Sequence, residues 1–400
     1  MTTLAGTYLS NPDMFTGGVP HGYFKRLRKE APINWELMPD GTGFWAITKY
    51  DDLVYASQHP EIFSSARGTN IEEQHGGVEM LLINMDAPRH TNLRGTISKG
   101  FTPKMVREME PHVREVTAAI IDRVAAKGQC DFVTEIAAEL PLQVIAELIG
   151  IPLDDRHRVF DWSNRMIGLD DPEYGTSMEE ASQAAADMFM YANSLAAESR
   201  QNPKDDLIGV LLDAEVGGEQ LTELEFNFFF LLLTVAGNET TRNLISGGML
   251  ALMENPAERA KLIADPKLIP TAVEEMLRWV TPVIYFRRTA TRDTELGGQA
   301  VREGEKIALY YGSGNRDEDM FTDPDTFNVS RDPNPHLAFG AGGPHFCLGV
   351  SLARLEIRIM FEELLRRLPD IELAGPVSRL RSNFIAGIKH MPVTFTPERS

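Results

Sequence analysis

The sequence predicts a mostly helical fold with a small β portion, in one domain spanning residues 1–400. Three observations carry this. Apolar residues recur at helical spacing over residues 103 to about 150, 179–199 and 223–253. Strand-like pieces are short and lie towards both ends of the chain. No internal repeat or low-complexity linker intervenes, and strands at both ends argue for one domain rather than two.

The first element is residues 43–50 (GFWAITKY), which alternate and are aromatic, as a strand does. Residues 51–59 then read as a short capped helix. From Pro103 the pattern is helical, with apolar stretches at 116–124 and 136–149, and Pro141 marks a helix start. Residues 179–199 form a further helix. The segment 223–253 is long and its middle is apolar all round, which predicts burial. Residues 271–280 form a helix that ends at Thr281-Pro282, because the residue before a proline disfavours helical backbone. Strand-like pieces follow at 286–289, 294–296 and 306–311. Glycine and proline dominate 323–349, and a last helix runs from about 350 to 368.

Composition narrows the function classes. Of 400 residues 43% are hydrophobic, enough for a large core. Lys and Arg total 39 against 58 Asp and Glu, a formal charge of −19. So acidic a surface disfavours nucleic acid and anionic membrane as bulk partners. Residues 1–20 lack the basic-then-apolar order of a signal peptide. The most apolar run, 226–236, falls far short of the roughly 20 residues of a spanning helix. A cytoplasmic protein without a transmembrane anchor is expected. Cys130 and Cys347 are distant in sequence, and no disulfide is expected in a reducing compartment. Cys130 reads as an incidental thiol at a helix-to-strand turn.

Cys347 is different. Residues 339–349 read FGAGGPHFCLG and open directly into a helix. Glycines let backbone approach a flat ligand closely. A cysteine just before a helix N-terminus sits where amides and the helix dipole favour a thiolate, the form that binds iron. Three other readings compete: a phosphate loop, for which cysteine and phenylalanine are poor choices; a buried structural thiol; and a nucleophile, although no His–Asn or His–Asp pattern accompanies it.

Ala236-Gly237-Asn238-Glu239-Thr240-Thr241 interrupts the long apolar helix. A carboxylate and two hydroxyls there cost free energy unless paired or hydrated. A threonine bonding back to a carbonyl, with the glutamate salt-bridged elsewhere, accounts for them equally well. Glu275 and Arg278 share a helix face three residues apart, a weak signal alone.

FGAGGPHFCLG resembles the haem-binding loop of the cytochrome P450 family, and four further motifs agree in order and spacing over nearly the whole chain. The resemblance implies a triangular helical prism with a β-rich side, and haem b (iron protoporphyrin IX) with Cys347 as axial thiolate. Phe339 and Gly340 belong to the same loop. Phe339 stands eight positions before Cys347, where the commoner family pattern has seven. The longer loop resembles a bacterial subgroup that acts on lipids and steroid side chains. Thr240 matches the family's proton-delivering threonine and Glu239 its acidic neighbour. Dioxygen must take up two protons before its O–O bond breaks; a hydroxyl can relay them and an acid resupply them. Ala236 and Gly237 leave room for dioxygen and substrate.

Other positions follow residue by residue. Glu275, Arg278 and Arg331 match a buried structural brace. His90, Arg94, Arg288 and His345 match the partners of the haem propionates, with Arg287 competing for the role of Arg288. The substrate pocket would be lined by Leu81, Leu82, Val235, Val283, Ile284, Phe286, Phe384 and Ile385, almost all apolar, which suits a hydrophobic ligand. The subgroup that GFWAITKYDD, AGNETTRN, DPNPHLAFG and GIKHMPVTF most resemble hydroxylates terminal carbons of methyl-branched lipids and sterol side chains. Residues 168–190 are where selectivity could differ.

No flavin or nicotinamide fingerprint is present, so electrons are expected from a ferredoxin and its reductase. It would dock on the cysteine side, where Lys99, Lys104, Arg107, Arg354 and Arg358 could form a basic patch. A monomer is expected. The competing functions are hydroxylation of a terpenoid or other secondary metabolite, a peroxide-using thiolate haem enzyme, and a non-catalytic haem-binding protein. The intact Glu239-Thr240 pair argues against the last two.

Overall fold

The structure is a computed structural model that describes residues 9–73, 77–174, 177–203, 206–216 and 219–398. The first half of the chain holds α1 (His21–Glu30), β1 (Ile33–Leu37), β2 (Gly43–Ile47), α2 (Tyr50–Gln58), β3 (Phe63–Ser64), α3 (Arg89–Ile97), α4 (Pro103–Ala125), β4 (Gln129–Asp131), α5 (Glu139–Ile149), α6 (Arg156–Ile167) and α7 (Met178–Gln201). Then come α8 (Leu207–Leu212), β5 (Glu215–Val216), β6 (Glu219–Gln220), α9 (Glu223–Glu254), α10 (Pro256–Ala264) and α11 (Ile269–Val280). The remainder is β7 (Tyr285–Ala290), β8 (Thr294–Leu296), β9 (Gln299–Val301), β10 (Lys306–Tyr310), α12 (Tyr311–Gly314), α13 (Val350–Arg367), β11 (Glu372–Leu373), β12 (Ser378–Arg379), β13 (Ile388–His390) and β14 (Pro392–Thr394).

Helices α1, α2 and α12 pack on the main sheet, while β4 and β14 join the largest helical core. The main sheet has the order β1-β2-β10-β7-β3, so distant segments share it. Parallel pairing of β10 with β2 joins residues 306–309 to residues 44–47. The largest apolar core gathers α4, α5, α9, α11 and α13, with Ile245, Met249, Met276 and Phe361 fully buried. A second core joins α3 and α5 to α7, α8 and the first half of α9.

The long apolar segment is α9, and its start is fixed by a reciprocal cap. Glu225 N donates to Thr222 Oγ1 at 3.3 Å, and Thr222 N donates to Glu225 Oε2 at 2.8 Å. Thr222→Ala is expected to cost about 1 kcal/mol, read as a lowered urea midpoint with unchanged slope. Aromatic and aliphatic side chains then bury nearly every face of α9.

The helical pattern from 103 to 150 is not continuous. Gly128, at φ 73°, turns the chain into β4, which pairs with β14 through Cys130 and Val393. A π-turn over Val133–Ala137 leads into α5. Pro141 is the third residue of α5 rather than its start; its missing N–H falls among the amides that have no partner within a first turn. Among the described residues no helix is long and apolar enough to cross a membrane.

Candidate active site

One face of α9 and the segment leading into α13 enclose a cavity of about 260 Å³. On the α9 side, Phe229, Leu232, Leu233, Ala236, Gly237 and Thr240 line it, the i, i+3, i+4, i+7 stripe that a helix presents to one side. Facing them are Phe339, Gly340, His345 and Cys347. Cys347 N donates to Phe339 O at 2.9 Å, which closes the glycine loop on itself. Gly340 takes φ 95° and Gly343 φ 75°. A Cβ at Gly343 would stand 2.1 Å from Ser57 O, so only glycine lets the loop pass α2. Burial pushes the Cys347 thiol up, while the Gly349 amide and the Arg94 and Arg354 guanidinium groups pull it down. The thiolate expected from the helix terminus alone is therefore not the favoured form of an unligated sulfur; a coordinated metal removes such a proton outright.

Cationic and donor groups gather at one edge of the cavity. The rings of His90 and His345 lie 4.2 Å apart. His90 is 2% exposed and its Nε2 has no hydrogen-bond partner. Burial lowers its pKa, and Arg94 and Arg288 add to that. The same causes take His345 to about 2. Arg94 donates to Phe346 O. Arg288 is buried, and its Nη1 donates only to the neighbouring Arg287 O, at 2.8 Å. Pleat alternation puts Arg287 on the other face of β7, where it meets Glu73 at 3.3 Å. Arg288, not Arg287, therefore lines the cavity. Unsatisfied donors beside buried cations are costly without an anion. The residues fit a flat, dianionic ligand whose metal faces Cys347, as haem b requires.

Thr240 lines the cavity, but its Oγ1 donates to Ala236 O at 3.0 Å. Glu239 points behind α9, buried against Arg242, whose Nη1 donates to Asn164 Oδ1 at 3.0 Å. Burial raises the Glu239 pKa and Arg242 opposes that. Glu239 Oε1 has no partner. The threonine back-bond and the salt-bridged glutamate are thus both present in this conformation, and the cavity does not include Glu239.

Glu275, Arg278 and Arg331 do come together. Arg278 Nε and Nη2 donate to the two oxygens of Glu275 at 2.8 and 2.7 Å, and both residues are 0% exposed. Arg331 Nε donates to Glu275 Oε2 at 3.1 Å, and Asn328 N and Asn334 Nδ2 also donate to that carboxylate. The remaining Arg278 donors reach the carbonyls of Asn315, Pro324 and Thr326.

Comparison with known proteins adds a family. The family model described as Cytochrome P450 matches residues 8–369. The chain is a cytochrome P450. It is 47% identical over 391 residues to a methyl-branched lipid omega-hydroxylase of Mycobacterium tuberculosis, covering 94% of this chain and 91% of that one. It is 42% identical over 405 residues to a steroid C26-monooxygenase of Rhodococcus jostii, covering 98% and 85%. Its fold is similar to that of a Mycobacterium marinum cytochrome P450, CYP268A2, solved in complex with pseudoionone: TM-score 0.90, 42% identity, 94% of each chain covered. The chain is thus a haem-dependent monooxygenase.

Within this P450, only part of the expected pocket lines the cavity. Leu82, Val283 and Phe286 do. Leu81 and Val235 do not; Val235 is turned from the stripe that holds Ala236 and Leu232. Ile284 alternates away from Val283 and packs with Phe384 in a separate core, and Ile385 bridges to Val283 from outside the cavity. Phe229, Leu232 and Leu233 were missed, although stepping back from Ala236 by three, four and seven finds them. Tyr311 and Glu356 were missed too. Glu356 is buried, Oε2 has no partner, and burial pushes it up to about 8.

The expected basic patch is largely neutralised. Arg354 forks onto Glu274 at 2.7 Å through Nε and Nη2, and Arg358 pairs with Glu110 and Glu362 at 2.9 Å. Arg107 is exposed, and Lys104 lies 3.9 Å from Glu108. The side chain of Lys99 and residues 175–176 lie outside the described residues.

Proposed function

We propose that this P450, acting as one domain over residues 1–400, hydroxylates the terminal carbon of a methyl-branched lipid or a steroid side chain. The observation that carries the reading is the apolar α9 stripe facing Cys347 across the cavity, which suits a hydrocarbon chain presented end-on. The relatives named for those two substrate classes, at 47% and 42% identity, support it. Electrons would come from a ferredoxin and its reductase, O2 would be the oxidant, and the enzyme would be a cytoplasmic monomer.

Bound haem b supplies oxygen activation, with a thiolate pushing electron density to favour O–O cleavage. In this reading Cys347 Sγ holds the iron. His90, Arg94, Arg288 and His345 neutralise the propionates, and Glu275, Arg278 and Arg331 hold the cysteine segment in place. Ala236 and Gly237 leave space on the opposite side. Thr240 Oγ1 passes a proton after releasing Ala236 O, and Glu239 resupplies it once it leaves Arg242.

Thr240→Ala is expected to keep electron consumption running while product per O2 consumed falls, up to the roughly 100-fold that positioned proton transfer contributes. Normal coupling in that variant would remove Thr240 from the relay. The substrate class is tested by a spectral-shift screen of methyl-branched fatty acids, sterols and terpenoids. Displacement of water from the iron by branched acids or sterols at micromolar concentration supports the proposal. A response to terpenoids alone supports the second reading, which the pseudoionone complex of the Mycobacterium marinum relative favours.

A further inference from the structure

A second cavity, of about 310 Å³, lies further along α9 than the first and shares no lining residue with it. It is bounded by α9, the start of α1, the end of α11 and the β12–β13 hairpin. Three buried polar atoms without partners belong to side chains that line it: Asn243 Nδ2, His21 Nδ1 and Arg316 Nε. Asn243 is 0% exposed, and its Oδ1 accepts from Ile388 N at 3.3 Å, so its amide N–H2 is the end left over. Arg379, half-buried at the rim, makes no hydrogen bond or ion pair among the described residues, and Glu254 is the carboxylate whose charge acts on it. Arg316 stacks 3.8 Å over Trp279 and lies 3.6 Å from Asp325, a carboxylate already paired with Lys25 at 2.7 Å.

The cavity therefore holds two buried donors without partners, on Asn243 and Arg316, and the guanidinium groups of Arg316 and Arg379 against the one carboxylate of Glu254. Buried donors without partners are costly, and those of Asn243 and Arg316 around one space are accounted for together by a single acceptor-rich group. Phe15, Val19, Leu250 and Leu380 supply an apolar wall. We propose that this cavity is a binding site for a small amphipathic carboxylate. Its head would meet Asn243 Nδ2 and Arg379, and its tail the apolar wall. A carboxylate matches because two acceptor oxygens answer a guanidinium and an amide at once. Asn243 is three residues beyond Thr240, so the occupant would lie further along the same face of the helix that lines the first cavity.

The experiment uses holoprotein whose first cavity is closed by a saturating azole that ligates the iron. Sodium hexanoate is then titrated by calorimetry, with 1-hexanol as neutral control. One hexanoate per chain is expected, with no heat from hexanol. Arg379→Gln should bind roughly tenfold or more weakly, the loss of one charge-assisted hydrogen bond. Arg379 holds no other side chain, so this variant should fold normally. A crystal soaked in hexanoate should show its carboxylate within hydrogen-bond distance of Asn243. No heat, loss of binding under the azole, equal binding of hexanol or by Arg379→Gln, or ordered water alone in the soaked cavity would each overturn the proposal.

Discussion

Cys347→Ser is expected to abolish the thiolate-type band in the carbon monoxide difference spectrum of the reduced protein and to reduce hydroxylation to background. The side chain lines the cavity opposite Thr240, and no second cysteine is near, since Cys130 is buried in the β4–β14 sheet. A serine oxygen is a harder, less polarizable donor than sulfur, and the electronic push that favours O–O cleavage goes with the thiolate. Haem itself should stay, because the proposed propionate contacts at His90 and Arg288 would hold a different part of it. Separate readings of haem content and band position therefore distinguish lost ligation from lost haem. An unchanged band would sink the assignment of Cys347.

Glu275→Ala is expected to be the most damaging change outside the cavity. It strips the buried Arg278 and partly buried Arg331 guanidinium groups, the Asn328 amide and the Asn334 side chain of their shared acceptor. Breaking a buried pair by deleting one partner costs about 3–5 kcal/mol, because the other charge remains buried. The variant should lose haem during purification and unfold at lower denaturant. Lys25→Ala breaks an exposed pair with Asp325 and should barely move the same midpoint. Comparable midpoints for the two variants would contradict a structural role for Glu275.

The chemistry-bearing stretches were legible in the sequence because so few residues explain them. A Gly-rich run ending in cysteine before a helix has few other causes, whereas Gly-Asn-Glu-Thr-Thr inside an apolar helix also fits the Thr240 back-bond and the Glu239–Arg242 pair that the structure holds. Which side chain faces the cavity was less legible. The parity of β7 decides between Arg287 and Arg288, and that parity depends on which sheet face is covered, a tertiary fact. Val235 was carried over from the family resemblance, whereas the 3.6-residue stripe through Ala236 selects Leu232 and Leu233. Arg354 read as a free cation because Glu274 is far away in sequence, whereas the i, i+4 pairing of Arg358 with Glu362 could have been read from it. Helix α6, RHRVFDWSNRMI, buries only two apolar residues, Val159 and Trp162, so its apolar stripe is short although it keeps a helical period.

The pairing of β7 with β10 runs without a break from Thr289 opposite Lys306 to Tyr285 opposite Tyr310. Gaining or losing one residue within it would turn Arg288 outward and bring Arg287 in, along with every neighbour on that strand. The cysteine loop is under no such parity rule: it has no ladder to keep in step, and it carries one residue more than the common pattern. Length changes during the divergence of such enzymes should therefore collect in the loop that presents the sulfur, and be absent from the strand that presents the arginine.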